Sequence, residues 1–463
     1  MSTFSLSAFD ATLTARLPVA FNGRLCVAFS GGLDSTVLLH AMNELRSVHA
    51  DWQVRAIHIN HQLHTSSAEW ATHCERVADA LGIKLIVERV DIARDHPQGL
   101  EAAARSARYA VFRGVLQNGE VLLTAHHADD QAETVLLALM RGSGVQGLAA
   151  MPAVKEFGRG WHLRPMLPFA RTNIEEWSRA RSIEAIQDPS NALLRHDRNY
   201  LRHAVLPALK NRWPTMADSV SRSATHLGEA LDLLEEQAVV DLRTCGVDRC
   251  VRIEMLRALT PARRRNVLRF WLRLRGLPLP STRKLVGLEH DLLNTDLDRI
   301  PCVTWQGAEL HWHRGLLYAS PPLVTLEHAD KFEQDWDRRE SLTLPVGLGR
   351  LLTMATFGPG LSAARLPAQL TLRFRRGGEK ILLPRRRHRH ALRNLLQEQN
   401  VLPWYRDRLP LLFVEKQLVA IADLAWSDEF SALPGEPAIQ VMWEDAPDWK
   451  APGLESSKAA MNN

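Results

Sequence analysis

Between the apolar runs Val27-Ala28-Phe29 and Val37-Leu38-Leu39 stands Ser30-Gly31-Gly32-Leu33-Asp34-Ser35-Thr36. The pattern reads as a buried strand, a glycine-tight turn and the first turn of a helix. Adjacent glycines let the backbone approach a ligand closely and take up the dihedrals of a sharp turn. Ser35 and Thr36 offer hydroxyls, and the helix start presents unpaired N–H groups with partial positive charge. Such a site suits phosphate or pyrophosphate. No lysine follows the glycines, which excludes a Walker A loop, and their adjacency excludes a dinucleotide fingerprint. The bland alternative is an ordinary strand–turn–helix of small residues.

A second constellation is Thr124-Ala125-His126-His127-Ala128-Asp129-Asp130-Gln131-Ala132-Glu133-Thr134. Asp130 and Glu133 are three apart at a helix start and share a face. Paired carboxylates beside a phosphate site suit Mg²⁺, which bridges carboxylates and substrate phosphates, and Asp34 can add an oxygen. His126 can orient a phosphate or assist proton transfer. Asp129, Asp130 and Glu133 are equally suited to capping the helix and complementing its dipole. Adjacent His126 and His127 with no cysteine nearby argue against zinc. Glu101, Arg105 and Arg108 fall on one helical face, either to grip phosphate or as a surface ion-pair stripe. Arg198 and Arg202, four apart beyond Asp188-Pro189-Ser190-Asn191, can reach one anion together or serve as salt-bridge partners.

These groups need elements to position them. Strands are predicted at 25–29, 54–59, 84–90 and 120–125, and helices at 36–46, 67–81, 100–117 and 131–140. Strand–helix alternation predicts a parallel sheet with helices on both faces. Its ligand then lies beyond the carboxyl ends of the strands, where Ser30, Asn60 and His126 fall. Two helical patterns around a loop occupy 165–209. Residues 215–318 read as helical (219–242, 261–275 and 281–293), 321–351 as a turn-rich linker with short strands, and 360–443 as a small α+β module. The tail after Pro447 is small and polar, and reads as mobile.

The chain has 463 residues, 46% of them hydrophobic and 24% charged, with net charge +5. These are the proportions of a soluble globular protein long enough for about three domains. The basic balance permits a polyanionic partner. Five scattered cysteines, Cys26, Cys74, Cys245, Cys250 and Cys302, form no C-x-x-C pair. They predict neither a zinc ribbon nor a redox pair. No signal pattern or membrane span is expected, which predicts a cytoplasmic protein. From Arg373 to Arg393 nine basic residues accompany one acid, Glu379. Such a field suits nucleic acid, with Trp404 and Tyr405 as stacking surfaces, or else forms a solvated face. Arg265, Arg269 and Arg273 make a second basic stripe.

The loop SGGLDS (30–35) resembles that of the N-type ATP pyrophosphatases. The wider series is INHQLH (59–64), EAAARSARYAVF (101–112), TAHHADDQAETVLLALMRGSG (124–144), RPML (164–167), DPSN (188–191), RNYLRHAVLP (198–207), RFRRGGEK (373–380), LRNLLQEQNVLPWYRDRLPLL (392–412) and LVAIAD (418–423). It closely resembles the tRNA(Ile)-lysidine synthase family along nearly the whole chain, most specifically over 124–144. The resemblance implies an α/β, doubly wound, mostly parallel PP-loop ATPase sheet over 1–213. A helical tRNA-binding domain (214–320), a linker (321–359), a small basic α+β tRNA-binding domain (360–445) and a flexible tail (446–463) follow.

It implies that ATP adenylates the C2 oxygen of the wobble cytidine in the CAU anticodon of tRNA(Ile). The ε-amine of free L-lysine then displaces AMP, so that the tRNA reads AUA and is charged with isoleucine. It assigns Ser30, Gly31, Gly32, Leu33, Asp34 and Ser35 to ATP. Catalysis falls to Asp34, Arg108, His126, Asp130, Glu133 and Arg198, with Asp34 and Asp130 as Mg²⁺ or lysine-amine contacts. The tRNA falls to Arg202, Arg375, Arg376, Lys380, Arg385, Arg386, Arg387, Arg389 and Arg393. No membrane and no obligate protein partner are expected. Gln62 and His64 depart from the family's Asn-His-Gly-Leu pattern, which bears on the roles of Asn60 and His61. Two other classes compete. A tRNA thiolase would need paired reactive cysteines. A non-catalytic RNA-binding protein would show a degraded loop, yet Ser30, Gly31, Gly32, Asp34 and Ser35 are all present.

Overall fold

The computed structural model describes residues 3–62, 66–92, 100–186, 197–294, 302–323, 332–345 and 347–451. The chain divides into two units, Met1–Leu234 and Glu235–Asn463.

In the first unit, helix α1 (Leu6–Thr14) precedes β1 (Arg24–Ala28), α2 (Leu33–Leu45), β2 (Gln53–Asn60), α3 (Ser67–Ala80), β3 (Lys84–Arg89), α4 (Leu100–Val115), β4 (Val121–Leu123) and α5 (Ala128–Met140). Then come α6 (Val145–Leu148), β5 (Val154–Phe157), β6 (Gly160–Leu163), α7 (Arg171–Ala180), α8 (Asp197–Tyr200) and α9 (Leu206–Arg212), with a π-helical turn, Leu201–Val205, before α9. The strand order is β3-β2-β1-β4-β6-β5. All neighbours are parallel except β5, which returns antiparallel to β6.

Alternation along β1 explains the two helical layers. Leu25 and Val27 enter one core with α2, while Cys26 enters another with Phe112 of α4 and Leu116 just beyond it. Side chains that alternate across a strand bury both faces of a parallel sheet. The doubly wound expectation therefore holds. The β5–β6 hairpin was not anticipated, being short and lacking period-two alternation. Because β2 and β4 flank β1 on opposite sides, the strand order reverses there. A crevice opens at such a switch point beyond the carboxyl ends of the strands.

The second unit holds the expected helices, Pro261–Leu274 and Thr282–Asn294, but also an antiparallel five-stranded sheet that the helical reading of 215–318 overlooked. Its central hairpin pairs Ala308–His313 with Leu316–Ser320. The connecting Arg314-Gly315 has positive φ at both positions, as a two-residue hairpin turn requires. The stretch 321–359, expected as a linker with short strands, does carry strands, and they pair into the sheets of the C-terminal module. Glu333–Asp337 pairs with Gln369–Arg373, and Arg350–Phe357 pairs with Pro437–Glu444. Apolar side chains from these strands complete the C-terminal core around Leu372, Phe374 and Leu411. The start of the expected tail is also packed: Trp449 stacks on Trp443 at 5.9 Å and Lys450 bridges to Val401. No helix among the described residues is long and apolar enough to cross a membrane.

Candidate active site

The loop after β1 is shaped from both sides. Gly31 has φ +82°, and a Cβ there would lie 2.5 Å from Ile186 Cδ1 and 2.9 Å from Cys74 Sγ. Ile186 N donates to Gly31 O at 2.9 Å, which clamps the back of the loop. Gly32 is the N-cap of α2 and provides no side-chain cap. The first-turn N–H groups of α2 therefore stay available to an anion. The hydroxyls expected as phosphate donors are used differently. Ser35 Oγ donates to Gly32 O at 2.9 Å and accepts from Ser30 N at 3.2 Å, and buried Thr36 donates to Gly32 O at 2.9 Å. They hold the loop's own polar groups, and the backbone is left to meet the ligand.

Across the switch point, β4 delivers His127 to the N-cap of α5. His127 N donates to Asp130 Oδ2 at 3.1 Å, and His127 Nε2 lies 3.3 Å from Asp130 Oδ2 and 3.7 Å from Asp34 Oδ2. Burial favours neutral His127, but Asp130, Asp34 and Asp129 outweigh it and raise its pKa. Burial alone would raise Asp34, but its hydrogen bond to His127 and the charges of His127, Arg171 and Arg202 hold it below its ordinary value. Asp34 Oδ1 is shielded from solvent and accepts no hydrogen bond from any described residue. The sequence reasoning set His127 aside with the zinc question. Its place at the helix cap, two residues before an Asp-Asp pair, was the available signal.

Glu133 is fully buried and bridged by two arginines. Arg198 Nε donates to Oε2 at 2.7 Å, and Arg202 donates through Nε to Oε1 at 2.6 Å and through a terminal nitrogen to Oε2 at 3.0 Å. Arg202 also reaches Asp130 Oδ1 at 3.0 Å, and Arg198 lies 3.6 Å from the same oxygen. Arg202, expected on the tRNA surface, is thus turned inward by two carboxylates. The π-helical turn that carries it follows α8 directly, a feature common at functional sites. Asp129 accepts from Arg171 N at 2.9 Å and pairs with Lys210, so it caps α7 and ties α9 in place. Four carboxylates, Asp34, Asp129, Asp130 and Glu133, thus face His127, Arg198, Arg202 and Lys210. Both oxygens of Asp130 are taken, which leaves Asp34 as the carboxylate with a free oxygen for a cation.

His126 stands beside this cluster. Its Nδ1 is 2.8 Å from Thr124 Oγ1, which is 2.8 Å from His162 Nε2. Burial and the neighbouring Arg164 and Arg198 push the His126 pKa well below its ordinary value.

At the end of β2, buried Asn60 donates to Ser67 O at 3.1 Å and accepts from Gln62 N at 3.0 Å, so its amide is spent on the loop. Gln62 has φ +52°, the left-handed conformation that glycine favours. Burial and the adjacent Arg108 push His61 down to about 4. Arg108 therefore stands near His61 at this end of the sheet. His64, the Glu101 side chain and Asp188-Pro189-Ser190-Asn191 lie outside the described residues.

In the second unit the basic run divides in two. Arg375 pairs with Asp407 at 2.9 Å, Arg376 with Glu333 at 3.0 Å and Arg389 with Glu429 at 2.9 Å, and Arg373 lies over the Phe413 ring at 3.6 Å. Glu379 accepts from Arg376 N and Gly377 N at 2.6 and 2.9 Å, closing the Gly377-Gly378 turn. Lys380, Arg385, Arg386, Arg387 and Arg393 are exposed and have no ion pair among the described residues. Neither aromatic is a free platform: Tyr405 is buried, and Trp404 stacks on His311 at 4.3 Å. In the second stripe, Arg265 pairs with Glu289 at 2.6 Å and Arg273 with Glu235 at 2.9 Å. Cys26 and Cys74 are buried and pushed up to about 12. At neutral pH they are thiols, unlike the reactive thiolates a thiolase needs.

Residues 8–209 match the PP-loop domain model, residues 251–318 the TilS substrate binding domain, and residues 370–443 the TilS substrate C-terminal domain. The tRNA(Ile)-lysidine synthase of Coxiella burnetii is 40% identical over 424 residues, covering 92% of each chain. That of Alkalilimnicola ehrlichii is 43% identical over 412 residues, covering 89% of this chain and 92% of the other. That of Xanthomonas campestris pv. campestris is 40% identical over 431 residues, covering 93% and 97%.

Proposed function

The chain belongs to the tRNA(Ile)-lysidine synthase family, and from that premise we propose how its residues divide the reaction. It is an ATP-using ligase that forms lysidine on tRNA(Ile). The ATP phosphates lie against the loop from Ser30 to Ser35, held by the first-turn N–H groups of α2 and by the positive end of that helix. The C2 carbonyl oxygen of the wobble cytidine in the CAU anticodon attacks the α-phosphorus, and pyrophosphate leaves. The lysine ε-amine then attacks C2; a C–N bond forms, the C–O bond breaks, and AMP departs with the oxygen. The product reads AUA in place of AUG. A protein that works on tRNA in this way belongs in the cytoplasm.

The residues support these two steps. Asp34 Oδ1, buried and without a donor among the described residues, suits a cation bound with the triphosphate, so Asp34 would hold Mg²⁺. That ion would neutralise charge on the leaving pyrophosphate. Asp130 and Glu133, held in place by Arg198 and Arg202, set a carboxylate-rich wall on the side from which the lysine amine approaches. Arg108 and Arg198 are donors for charge that develops on phosphate. Lys380, Arg385–Arg387 and Arg393, which have no ion pair among the described residues, offer tRNA phosphates a surface that need not first break one.

The observation that carries this reading is the meeting of Asp34 and His127, which puts the phosphate loop and the carboxylate cluster in one site. The test is incubation with ATP, radiolabelled lysine and tRNA transcripts, with mass analysis of the digested anticodon loop. Pyrophosphate release with lysidine is the expected result; release of γ-phosphate would overturn it.

A further inference from the structure

The motif Arg164-Pro165-Met166-Leu167 has no part in the reaction above, yet Arg164 is almost fully buried behind the site. Its NH1 donates to Pro152 O at 2.6 Å and its NH2 lies 3.2 Å from His162 Nδ1. From there the contacts run His162 Nε2 to Thr124 Oγ1 at 2.8 Å, and Thr124 Oγ1 to His126 Nδ1 at 2.8 Å.

We propose that Arg164 sets the direction of this chain and so locks His126 as a hydrogen-bond donor through Nε2, with no lone pair left to act as a base. The argument needs only the inventory of protons. A guanidinium donates and never accepts. His162 Nδ1 must therefore accept, and its ring carries its proton on Nε2. That proton is donated to Thr124 Oγ1. The threonine has one proton of its own, and His126 Nδ1 is the only other hydrogen-bond partner of its hydroxyl among the described residues. His126 thus accepts at Nδ1, and its proton must sit on Nε2, which has no hydrogen-bond partner among the described residues. The low basicity of both rings agrees with neutrality: His162 is pushed down to about 2 by burial, then by Arg164.

The consequence deepens the proposed function and rests on it. His126 gives an N–H to an oxygen of the substrate, a phosphate or the cytidine carbonyl, as that oxygen gains charge. It does not take the proton of the lysine amine, which goes instead to a carboxylate or to solvent. Thr124, His162 and Arg164 are positioning residues, since none of them needs to touch substrate.

The test is ¹⁵N spectroscopy of the full-length chain with labelled histidine, His126 being identified by the signal lost in His126→Gln. The expected wild-type pattern is a protonated Nε2 and an unprotonated, hydrogen-bonded Nδ1. Thr124→Val, close to isosteric, should give a mixture of tautomers and lower kcat about 10-fold or more, with KM for ATP and tRNA nearly unchanged. Thr124→Ser should restore both. Arg164→Lys, another obligate donor, should keep the tautomer that Arg164→Met loses. A proton on His126 Nδ1 in the wild type, or a folded Thr124→Val chain with wild-type turnover, would overturn the inference. The tautomer is read without turnover, so a chain with the expected tautomer and no lysidine product would instead refute the proposed function.

Discussion

Asp34 on the first turn of α2 and His127 at the N-cap of α5 meet across the switch point with Nε2 and Oδ2 3.7 Å apart. Each alters the other's charge state: His127 and two arginines hold Asp34 below its ordinary value, and Asp34 helps to raise His127. The pair joins the element proposed to meet the ATP phosphates to the element that carries Asp130 and Glu133.

Asp34→Asn keeps the shape and removes the charge. Lysidine formation should fall by about 100-fold or more, the scale of losing a preorganised charge at a reacting centre. Binding of tRNA by filter assay should be unchanged, because the exposed basic residues are untouched. Turnover within a few-fold of wild type would remove Asp34 from the chemistry.

Gln62 stands where the family pattern has glycine and adopts the left-handed φ of +52° that glycine takes freely. A side chain held there costs about 1 kcal/mol. Gln62→Gly should relieve that strain while keeping the backbone bond from Gln62 N to Asn60. Part of the gain is offset by glycine's greater freedom in the unfolded chain. We expect urea unfolding to show a stabilisation of about 0.5 kcal/mol. A destabilised variant would mean that the Gln62 side chain makes a contact worth more than the strain.

Much of the first unit was legible because local pattern and tertiary role agree there. The four predicted parallel strands and the helices between them follow from apolar runs bounded by polar turns, and Ser30 and His126 fall on one sheet edge as the topology requires. What sequence did not disclose was pairing. Nothing local distinguishes an arginine bound for tRNA from one bound for a carboxylate, and Arg202 lies inward only because Glu133 and Asp130 are brought to it. Likewise, Trp404 looks like a stacking platform until His311 covers one of its faces. The hairpin of Ala308–His313 and Leu316–Ser320 fell in a region read as helical, although no helix was placed there, because Arg314-Gly315 is not one of the Asn-Gly or Asp-Gly pairs that announce a two-residue turn.

His162 should leave a mark on the pH dependence of stability. Its folded-state pKa is pushed down to about 2 from 6.5, so the folded chain resists a proton that the unfolded chain accepts. The associated stability is fully present above pH 6.5 and is lost progressively as pH falls toward 2. The slope from this one group is about 1.4 kcal/mol per pH unit. Glutamine can accept from Arg164 and donate to Thr124 without titrating. His162→Gln should therefore match wild type at pH 7.5 and lose less stability by pH 5, the difference being about 2 kcal/mol. Parallel curves in chemical denaturation across that range would show that His162 is protonated as readily folded as unfolded.

The split in the C-terminal basic run makes a prediction that composition alone does not. Arg375, Arg376 and Arg389 are already paired, whereas Arg385, Arg386 and Arg387 are exposed without an acidic partner among the described residues. A phosphate that recruits a paired arginine must displace a carboxylate, and recruiting an unpaired one releases only counterions. Reversing Arg385, Arg386 and Arg387 to glutamate should therefore weaken tRNA binding strongly. It should also lower the slope of log K against log salt by up to about 0.9 for each phosphate no longer neutralised. Arg375→Gln, Arg376→Gln and Arg389→Gln together should change the slope much less. Arg385, Arg386 and Arg387 are exposed and take no part in the core around Phe374 and Leu411, so Tm should hold in the reversed variant and loss of fold can be separated from loss of binding. Equal slopes for the two triple variants would mean that tRNA draws on the run as a whole, with internal pairs opening when the tRNA docks.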